Sequence, residues 1–328
     1  MVKVIVVGAT GLVGGTILSL LEERNFPADE VKCLASERSA GNTLPFRGKD
    51  LEVRTLRSEE FQGYDLALFA AGGEVSREFI PLALEVGLEV VDNSSYFRMD
   101  PQVPLVVPEV NPEAIGEARL IANPNCSTIQ CMAPLFALDR ALGLKRVVYS
   151  TYQSVSGSGV KGLKDLEEGT NFAYPHPIRD NLLPQIDDFL ESGYTKEEMK
   201  MVNESRKILS RPHLPVTATA VRVPVPCCHG VSINVELDRD FNLEEVRNCL
   251  RSQDGVVVLD QPEKGVYPMP RDLAGTDEVY VGRIRRDPSI PYGLNLWTVA
   301  DNVRKGAALN TVEIAELLLQ RKLDEMSD

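Results

Sequence analysis

The residue best suited to covalent chemistry is Cys126, which stands where a polar loop gives way to a helical pattern. Residues 123–125 read Asn-Pro-Asn, and apolar residues over Ile129–Leu142 then recur at helical spacing. A thiol at the start of a helix lies near the positive end of the helix dipole and near free backbone N–H groups. Both favour the thiolate, which is the nucleophilic form of cysteine. A buried structural cysteine is the alternative, but the turn-forming neighbours favour a catalytic nucleophile.

Three histidines are present, and His229 is the best candidate for a general acid or base. It lies between two strand-like runs, and an imidazole can titrate near neutral pH. A histidine held in a turn or in the core is the alternative. His176 and His213 lie among prolines in loop-like sequence and are poorer candidates. Gln153 ends another strand-like run, just before small residues, where its amide could orient a substrate.

Cationic side chains that could bind an anionic substrate are Arg98, Lys200 and Arg222. Glu197 stands three residues before Lys200 on a predicted helix, so these two side chains share one face. Most pairs of this kind are solvated surface pairs with little energetic weight, which is the alternative here.

The consecutive thiols and imidazole of Cys227, Cys228 and His229 raise the question of a metal site. Structural zinc sites draw four ligands from such clusters, usually from two of them. The sequence has no second ligand cluster at usable spacing. We therefore expect no metal centre.

The N-terminal segment carries a nucleotide-binding pattern. Val2–Val7 is a continuous apolar, β-branched run, typical of a strand buried in a parallel sheet. It leads into glycines at positions 8, 11 and 14, and a helical pattern then covers Leu12–Leu21. Such glycines permit a tight turn and let backbone N–H groups approach a pyrophosphate at the helix N-terminus. Strand, glycine loop and helix together predict a dinucleotide site.

The residues after the second predicted strand, Val31–Leu34, bear on the choice between NAD and NADP. In dinucleotide-binding domains, an acidic residue after the second strand binds the ribose 2′-hydroxyl of NAD, whereas an arginine there suits the 2′-phosphate of NADP. Glu37 fits the first pattern, while Ser36, Arg38 and Ser39 fit the second. We favour NADP.

Further strand patterns in the first part of the chain lie at Leu66–Ala70, Glu89–Val91, Leu105–Val107 and Leu120–Ala122. Gly72, just past the first of these, would let the backbone approach a cofactor, although an ordinary helix start fits equally well. Short buried strands after the glycine loop predict a Rossmann-type, doubly wound parallel sheet.

From Lys145 the pattern changes to longer alternating runs, typical of a mixed or antiparallel sheet with one covered face. The runs are Arg146–Val155, Val216–Val223, Val231–Leu237 and Leu294–Val299, with helical stretches at Val160–Glu168, Lys196–Leu209 and Leu243–Leu250. Lys305–Leu323 is an amphipathic helix that we expect to pack on the first domain. The sequence thus predicts an α/β protein, with an NADP-binding domain of residues 1–126 and 305–328. A second, α+β domain of residues 127–304 would serve catalysis and dimerisation.

The composition argues against several classes of partner. A formal charge of −13 over 328 residues opposes binding to nucleic acid or to an anionic membrane. No run of about 18 apolar residues is present, and the N-terminus has no signal-peptide pattern. The six cysteines follow no regular framework. We therefore expect a cytoplasmic protein with reduced thiols.

Several of these motifs together resemble aspartate-β-semialdehyde dehydrogenase, in the shorter, NADP-dependent form of the family. The resemblance covers nearly the whole chain, and the motifs occur in the family's order. They are residues 8–14, 36–41, 123–128, 153–157, 181–187, 222–225 with His229, and 300–302. One departure lies beside His229, where many members have glycine before the histidine and serine after it. This chain has Cys228 and Gly230 there.

The resemblance implies a reaction, the reduction of L-4-aspartyl phosphate by NADPH to aspartate semialdehyde and phosphate. This step serves the biosynthesis of lysine, threonine and methionine. The resemblance implies that Cys126 forms a thioester, that His229 acts as acid and base, and that Gln153 orients the substrate. It implies that Arg222 binds the substrate α-carboxylate, with Glu197 near the amino group.

The remaining contacts implied by the resemblance involve the phosphate and the cofactor. The phosphate would contact Arg98, Lys200 and Asn125. NADP would contact Gly8, Thr10, Gly11, Leu12, Val13, Ser36, Arg38, Ser39, Gly72, Ser156, Gly157 and Asn302.

Two alternatives stay open. N-acetyl-γ-glutamyl-phosphate reductase shares the architecture and the cysteine chemistry, but it should lack this set of substrate-binding arginine, glutamate and lysine motifs. An inactive nucleotide-binding paralogue is opposed by the presence of Cys126, Gln153, Arg222 and His229 together. In either case we expect small-molecule ligands and a homodimer, because the second sheet would otherwise expose a face or an edge. A homotetramer stays open.

Overall fold

The computed structural model describes residues 2–325 and divides the chain into two compact units. The first unit contains the described residues up to Pro124 and those from Ala307 onward, and the second contains Asn125–Gly306. Each division lies two residues from the predicted boundary, so that Cys126 and its helix belong to the second unit. The helix goes with that unit because it packs against strands of the second sheet.

The first unit is built on a seven-stranded sheet. Its strands, in chain order, are β1 (Val2–Val7), β2 (Ala28–Ala35), β3 (Thr43–Phe46), β4 (Lys49–Thr55), β5 (Leu66–Phe69), β6 (Glu89–Asp92) and β7 (Leu120–Ala122). Across the sheet the order is β3-β4-β2-β1-β5-β6-β7, and neighbours pair in parallel except β3 and β4. Val4, Ile5 and Val6 are fully buried, as a central parallel strand requires. This confirms the predicted doubly wound sheet.

Helices of the first unit cover Leu12–Glu23, Gly73–Glu85 and Asn310–Glu325. Side chains of the first and last of these, such as Ile17 and Leu318, lie in one buried apolar cluster with the sheet. The C-terminal segment therefore packs on the first domain, as the sequence predicts.

The C-terminal helix begins differently from the prediction of a single helix over Lys305–Leu323. Arg304–Leu309 forms a π-helical segment, and the α-helix starts at Asn310. The Gly306 N–H donates to the carbonyl oxygen of Asp301, five residues earlier, at 2.9 Å. That bond is the π-helical pattern, which sequence periodicity does not reveal.

The predicted strand over Leu105–Val107 is wrong. Leu105 makes only an isolated bridge with Ala122. The Asn111 side chain satisfies the adjoining backbone groups, since Oδ1 accepts from the Val107 N–H and Nδ2 donates to the Leu105 carbonyl oxygen, each at 3.0 Å. The run is apolar because it is buried. The strands β3 and β4 are not predicted from the sequence. Most of their residues are exposed or half-buried, so they form no apolar run.

The second unit is built on a mixed sheet, as predicted, and this sheet has six strands. Its strands are β8 (Leu144–Gln153), β9 (Val216–Arg222), β10 (His229–Leu237), β11 (Val256–Val258), β12 (Val279–Asp287) and β13 (Gly293–Ala300). Across the sheet the order is β11-β12-β13-β10-β8-β9, with β8/β9 and β11/β12 parallel and the other pairs antiparallel. The sequence patterns indicate four of these strands but not β11 or β12.

The helices of the second unit lie close to the predicted ones. They cover Cys126–Leu142, Gly159–Glu168, Lys196–Ile208 and Leu243–Arg251. Among residues 2–325, no helix combines the length and the apolar character needed to cross a membrane.

Candidate active site

Cys126 is the first residue of the helix Cys126–Leu142. Asn125 caps this helix, because its Oδ1 accepts from two backbone N–H groups of the first turn, at 3.0 and 3.4 Å. The Asn125 backbone N–H in turn donates to the buried carboxylate of Glu204 at 2.7 Å. The helix therefore begins three residues before Ile129, where the apolar helical pattern of the sequence starts. The half-buried thiol lies at the positive end of the helix dipole, as the sequence predicts.

His229 lies against this thiol, with its Nε2 3.2 Å from Cys126 Sγ. On the other side of the ring, Nδ1 accepts from the Ser154 N–H at 3.0 Å, and the Ser154 hydroxyl oxygen also lies 3.0 Å away. That hydroxyl donates to Asn302 Oδ1 at 2.9 Å, which leaves its oxygen able to accept from Nδ1. While Nδ1 accepts from the Ser154 N–H, the proton of the neutral ring lies on Nε2; a proton on Nδ1 would instead be donated to Ser154 Oγ, and in that tautomer Nε2 can take the thiol proton. This arrangement suits a residue that takes a proton and later returns it.

The His229 ring is a neutral imidazole in its resting environment. The sequence favours titration near neutral pH, but burial, reinforced by the Arg222 guanidinium, lowers the pKa of His229 to about 3. The nearby carboxylate of Glu197 acts in the opposite sense and is outweighed. Positive charge on the ring therefore has to form together with negative charge on the thiol or on a bound substrate.

A buried neutral histidine makes stability pH-dependent. The unfolded chain protonates this imidazole below about pH 6.5, whereas the folded chain does so only near its pKa of about 3. Because the unfolded state binds more protons between these values, the free energy of unfolding should fall as the pH drops. The slope from His229 is up to about 1.4 kcal/mol per pH unit, or about 2–3 kcal/mol between about pH 6.5 and 4.5.

Chemical denaturation of the protein in chelator-containing buffers, with and without His229→Gln, measures this contribution. The difference in unfolding free energy between the two proteins should change with pH by the stated amount, since the amide does not titrate. A difference that stays constant with pH would show that the ring keeps the same protonation state in the folded and unfolded chains.

Glu197 is the charged centre of the site, and it is only 5% exposed. Its Oε1 accepts from Asn125 Nδ2 at 2.9 Å and from Gln153 Nε2 at 3.0 Å, while its Oε2 accepts from Lys200 Nζ at 3.0 Å. Burial alone would raise the pKa of Glu197, but Lys200 and the two amides outweigh burial and lower it to about 2. The Glu197–Lys200 pair, with Glu197 buried and Lys200 half-buried, is therefore part of the site and not a solvated surface pair.

Lys200 has a second carboxylate partner that the sequence analysis does not identify. Its Nζ donates to Asp187 Oδ2 at 2.9 Å. Burial alone would lower the pKa of Lys200, but Glu197 and Asp187 raise it, so the ammonium stays charged. Asp187 is the last residue of the motif of residues 181–187. Its acidic side chain in that motif was the signal in the sequence that could have identified this partner of Lys200.

Arg222 ends β9, and its side chain is buried. Nη1 donates to the Ser154 carbonyl oxygen at 2.7 Å, whereas the buried Nε has no hydrogen-bond partner among residues 2–325. A buried N–H without an acceptor points to a ligand, because such groups are nearly always paired. A cleft of about 220 Å³ adjoins Arg222, with Tyr174 and Asp187 among its lining residues. The site can therefore take a small anionic molecule.

Three predicted cofactor contacts, Ser156, Gly157 and Asn302, lie around His229. Asn302 Oδ1 accepts from the Ser156 hydroxyl at 3.1 Å, in addition to the bond described above. A Cβ on Gly157 would lie 2.8 Å from Arg222 Nη1 and 3.4 Å from His229 Nε2. Glycine at this position therefore keeps space open next to both functional side chains.

The other predicted cofactor contacts lie in the first unit, where the strands β1, β2 and β5 end. Gly8 follows β1 with φ +80°, and a Cβ there would lie 2.5 Å from the Ala70 carbonyl oxygen, so only glycine fits. Gly11 and Gly72 each stand before a helix that has no side-chain cap, and Leu12 and Val13 begin the first of these helices. Backbone N–H groups at both helix starts can bind a phosphate.

Ser36, Arg38 and Ser39 lie together just after β2, where residues 37–39 form a short 3-10 turn. The Thr10 hydroxyl donates to Ser39 Oγ at 3.3 Å and so joins the glycine loop to this turn. The residues that bear on the choice between NAD and NADP therefore adjoin the glycine loop in space.

Arg98 lies in the first unit, whereas the other predicted substrate-binding residues lie in the second. Its guanidinium is buried, with Nε donating to the Asn123 carbonyl oxygen and Nη2 to the Asn93 carbonyl oxygen, each at 2.8 Å. The second unit by itself contains the other groups of the site. They are the Cys126 thiol, the His229 imidazole, the amides of Asn125 and Gln153, and the charged side chains of Glu197, Lys200 and Arg222.

The structure gives a reason for Gly230 beside His229, but not for Cys228, the other residue that departs from the family pattern. Cys228 has φ +65°, in the left-handed region that glycine adopts most easily. A Cβ at Gly230 would lie 2.3 Å from Cη2 of Trp297, which leaves no room for serine. The indole is fixed in place because its Nε1 donates to the Pro268 carbonyl oxygen at 2.9 Å.

Gly230→Ser is expected to lower the free energy of unfolding by about 1–3 kcal/mol, because it overpacks the contact with the indole. Trp297→Leu in the same chain should restore most of that loss by removing the clash. Denaturation curves of the original chain, both single variants and the double variant give the coupling energy. Strictly additive effects would show that Trp297 does not determine the glycine.

Comparisons with known proteins match both units. Residues 3–118 match a family model described as semialdehyde dehydrogenase, NAD binding domain, and residues 132–305 match semialdehyde dehydrogenase, dimerisation domain. A relative from Aquifex aeolicus named aspartate-semialdehyde dehydrogenase is 50% identical over an alignment of 336 positions, which covers 98% of this chain and 99% of the relative. An NAD(P)-binding domain is therefore present.

Solved structures agree with the sequence matches. Aspartate semialdehyde dehydrogenase II from Vibrio cholerae, complexed with ASA, is 45% identical, with a TM-score of 0.94 and 98% of each chain covered. Aspartate semialdehyde dehydrogenase with NADP from Candida albicans is 28% identical, with a TM-score of 0.79 and coverage of 98% of this chain and 100% of that one. On this sequence identity, domain match and shared fold, the chain belongs to the aspartate-semialdehyde dehydrogenase family.

Proposed function

We propose that the protein reduces L-4-aspartyl phosphate with NADPH, giving L-aspartate 4-semialdehyde and phosphate through a thioester on Cys126. The observation that carries this proposal is the Cys126–His229 contact of 3.2 Å beside buried Arg222 and Glu197. An amino-acid substrate carries a carboxylate and an ammonium group, which complement that cation and that anion. The names of the relatives support the same substrate. The reaction would serve the biosynthesis of lysine, threonine and methionine.

The covalent step follows from the thiol and the imidazole. His229 Nε2 takes the thiol proton, and Cys126 Sγ attacks the acyl-phosphate carbonyl carbon, so that the bond to phosphate breaks and phosphate leaves. The negative charge of the substrate compensates the charged ring. NADPH, when bound, would supply the hydride that reduces the resulting thioester on Cys126. Collapse of the hemithioacetal releases the aldehyde and regenerates the thiolate, while the imidazolium N–H stabilises the oxyanion.

Recognition of the substrate follows from the buried charges. Arg222 would bind the α-carboxylate through the Nε that has no partner among the described residues. Glu197 keeps its carboxylate ionised and would face the substrate ammonium, and Gln153 is held by it in one orientation. Lys200 and Arg98 would bind the phosphate, together with the second N–H of the Asn125 amide.

The residues of the first unit fit an adenine dinucleotide that carries a 2′-phosphate. Two uncapped helix starts after Gly11 and Gly72 offer N–H groups to the pyrophosphate. Arg38, with the hydroxyls of Ser36 and Ser39, would hold the 2′-phosphate. The NADP in the related Candida albicans structure supports this choice. Thr10, Leu12, Val13, Ser156, Gly157 and Asn302 complete the proposed contacts.

Arg38→Ala is expected to raise the Kd for NADPH by about 10- to 100-fold, because one charge-assisted contact to the 2′-phosphate contributes about 1.5–3 kcal/mol. The Kd for NADH should change less than about threefold, since NADH lacks that phosphate. Fluorescence titration of both nucleotides measures this, and Arg57→Ala, another arginine of the same unit, is a matched control. Equal losses for NADPH and NADH would contradict the assignment.

We also propose a homodimer assembled through the second unit. The matched model of residues 132–305 is a dimerisation domain, which supports this assembly. The first unit would then serve as the NADP-binding domain, and the second as the catalytic and dimerisation domain.

The experiment that tests the proposed function follows NADPH absorbance with aspartate semialdehyde, phosphate and NADP. NADPH formation that requires both phosphate and this aldehyde supports the proposal. Activity with N-acetylglutamate semialdehyde instead would favour N-acetyl-γ-glutamyl-phosphate reductase. If NADPH binds but neither aldehyde reacts, the protein is an inactive nucleotide-binding paralogue.

A further inference from the structure

A second cluster of reactive side chains includes the two residues that directly precede His229 in the chain. The ligand atoms of Cys227, Cys228 and Asp301 all lie within 4.8 Å of one another, and both thiols are free. Among residues 2–325 no other such group of three occurs. The two cysteines are adjacent in sequence, but the carboxylate arrives from the end of β13, more than seventy residues later. Tertiary structure thus supplies the ligand that the sequence pattern lacks.

The Asp301 carboxylate is held in one orientation by backbone groups. Oδ1 accepts from the Val303 N–H at 2.9 Å and from the Arg304 N–H at 3.0 Å, and Oδ2 accepts from the Gly275 N–H at 2.9 Å. The Cys227 thiol donates to the same Oδ2 at 3.3 Å. The thiol proton therefore occupies the place between sulfur and oxygen that a cation would take.

Cys228 is equally restrained. It is fully buried in a small apolar cluster with Leu273 and Val299, and it adopts φ +65°. A residue other than glycine is strained in this backbone conformation, which persists only where its surroundings hold it. Since neither the proposed mechanism nor the substrate contacts use this sulfur, its orientation toward the carboxylate calls for another explanation.

We propose that Cys227 Sγ, Cys228 Sγ and the Asp301 carboxylate bind one thiophilic divalent cation of the Zn²⁺ and Cd²⁺ class. The ion would replace the two thiol protons, which pass to the buffer. Zinc takes thiolates at about 2.3 Å and carboxylate oxygens at about 2.0–2.2 Å, so ligand atoms within 4.8 Å need to close by only about 1 Å. Three protein ligands leave a fourth position for water. Ions that prefer oxygen, such as Mg²⁺ and Ca²⁺, are disfavoured by two sulfurs.

The position of this site links it to the catalytic histidine. Cys228 directly precedes His229, and Asp301 directly precedes Asn302. Asn302 in turn accepts from the Ser154 hydroxyl that faces the His229 ring. A bound ion would therefore tie together the two segments that orient the catalytic imidazole.

Titration with Cd²⁺ tests the site, because cadmium thiolates give a charge-transfer absorption band. The full chain carrying Cys126→Ser is used, so that the catalytic thiol cannot bind the metal. One cadmium ion per chain should bind, and the intensity of the absorption band should correspond to two thiolates. Adding Cys227→Ser should weaken binding by more than about 100-fold, since loss of even an indirect partner of a metal costs 10- to 100-fold. Cys228→Gly, which suits the left-handed backbone, should weaken binding by the same amount.

Cys249→Ser is the matched control, because Cys249 is also a half-buried free thiol. It should leave both the affinity and the band unchanged. In chains that retain Cys126, Cys227→Ser and Cys249→Ser should keep the metal-free activity, which shows that both variants fold. Absence of a thiolate band, or equal cadmium affinity with and without Cys227→Ser, would overturn the proposal.

Discussion

Cys126→Ser is expected to lower the phosphate-dependent oxidation of aspartate semialdehyde by at least about 10⁴-fold, because losing a nucleophile that acts with its base has this order of effect. Serine preserves the size of the side chain, but its hydroxyl is far less acidic than a thiol. The oxygen ester that it would form also accepts hydride less readily than a thioester. Steady-state kcat/KM with NADP, aldehyde and phosphate measures the loss.

Two controls separate lost chemistry from lost structure. NADPH binding by the Cys126→Ser protein should stay within about twofold of the original, because the predicted nucleotide contacts do not include this thiol. Cys249→Ser, at a half-buried cysteine of another helix, should keep full activity. If Cys126→Ser retained more than about a tenth of the activity, the thioester route would have to be abandoned.

His229→Gln is expected to lower kcat by about 10²- to 10⁴-fold, the usual contribution of a positioned acid and base. The amide can donate a hydrogen bond toward Cys126 Sγ, but it cannot take the thiol proton and return it. Its residual activity should therefore rise with pH, because the attacking thiolate then forms only by loss of the thiol proton to solvent. Single-turnover measurement of phosphate release reports the first covalent step without the influence of product release.

His213→Gln is the matched control, because His213 is an exposed loop residue outside the proposed site. It should leave kcat within about twofold of the original chain. Retention of most activity by His229→Gln would mean that the imidazole acts only as a hydrogen-bond donor. The proposed transfer of the thiol proton would then be incorrect.

Local sequence was sufficient for those features that depend on neighbouring residues. The apolar run Val2–Val7 and the glycines behind it predict strand, tight turn and helix, because each is set by the conformational preferences of a short segment. The same is true of Cys126, whose place at a helix start follows from Asn125 and the apolar spacing after it. Glu197 and Lys200 share a helix face, so their pairing could also be predicted.

Burial could not be predicted from local sequence, and burial decides the electrostatics of the site. Glu197 would be an ordinary surface carboxylate on its helix, but tertiary contacts with Asn125 and Gln153 make it the centre of the site. A histidine ordinarily titrates near neutral pH, yet the surroundings of His229 lower its pKa to about 3. The apolar run Leu105–Val107 is buried without pairing as a strand, because a side chain downstream satisfies its backbone.

The sequence by itself therefore determined the two-domain α/β architecture, and it predicted a candidate nucleophile and candidate residues for a substrate and a dinucleotide. Only the tertiary structure decided which of these residues touch, and in what state of charge. It placed Asp301 against Cys227 and Cys228, and Trp297 against Gly230. The physical reason is that conformational preferences act over a few residues, whereas desolvation and packing depend on segments that are distant in the chain.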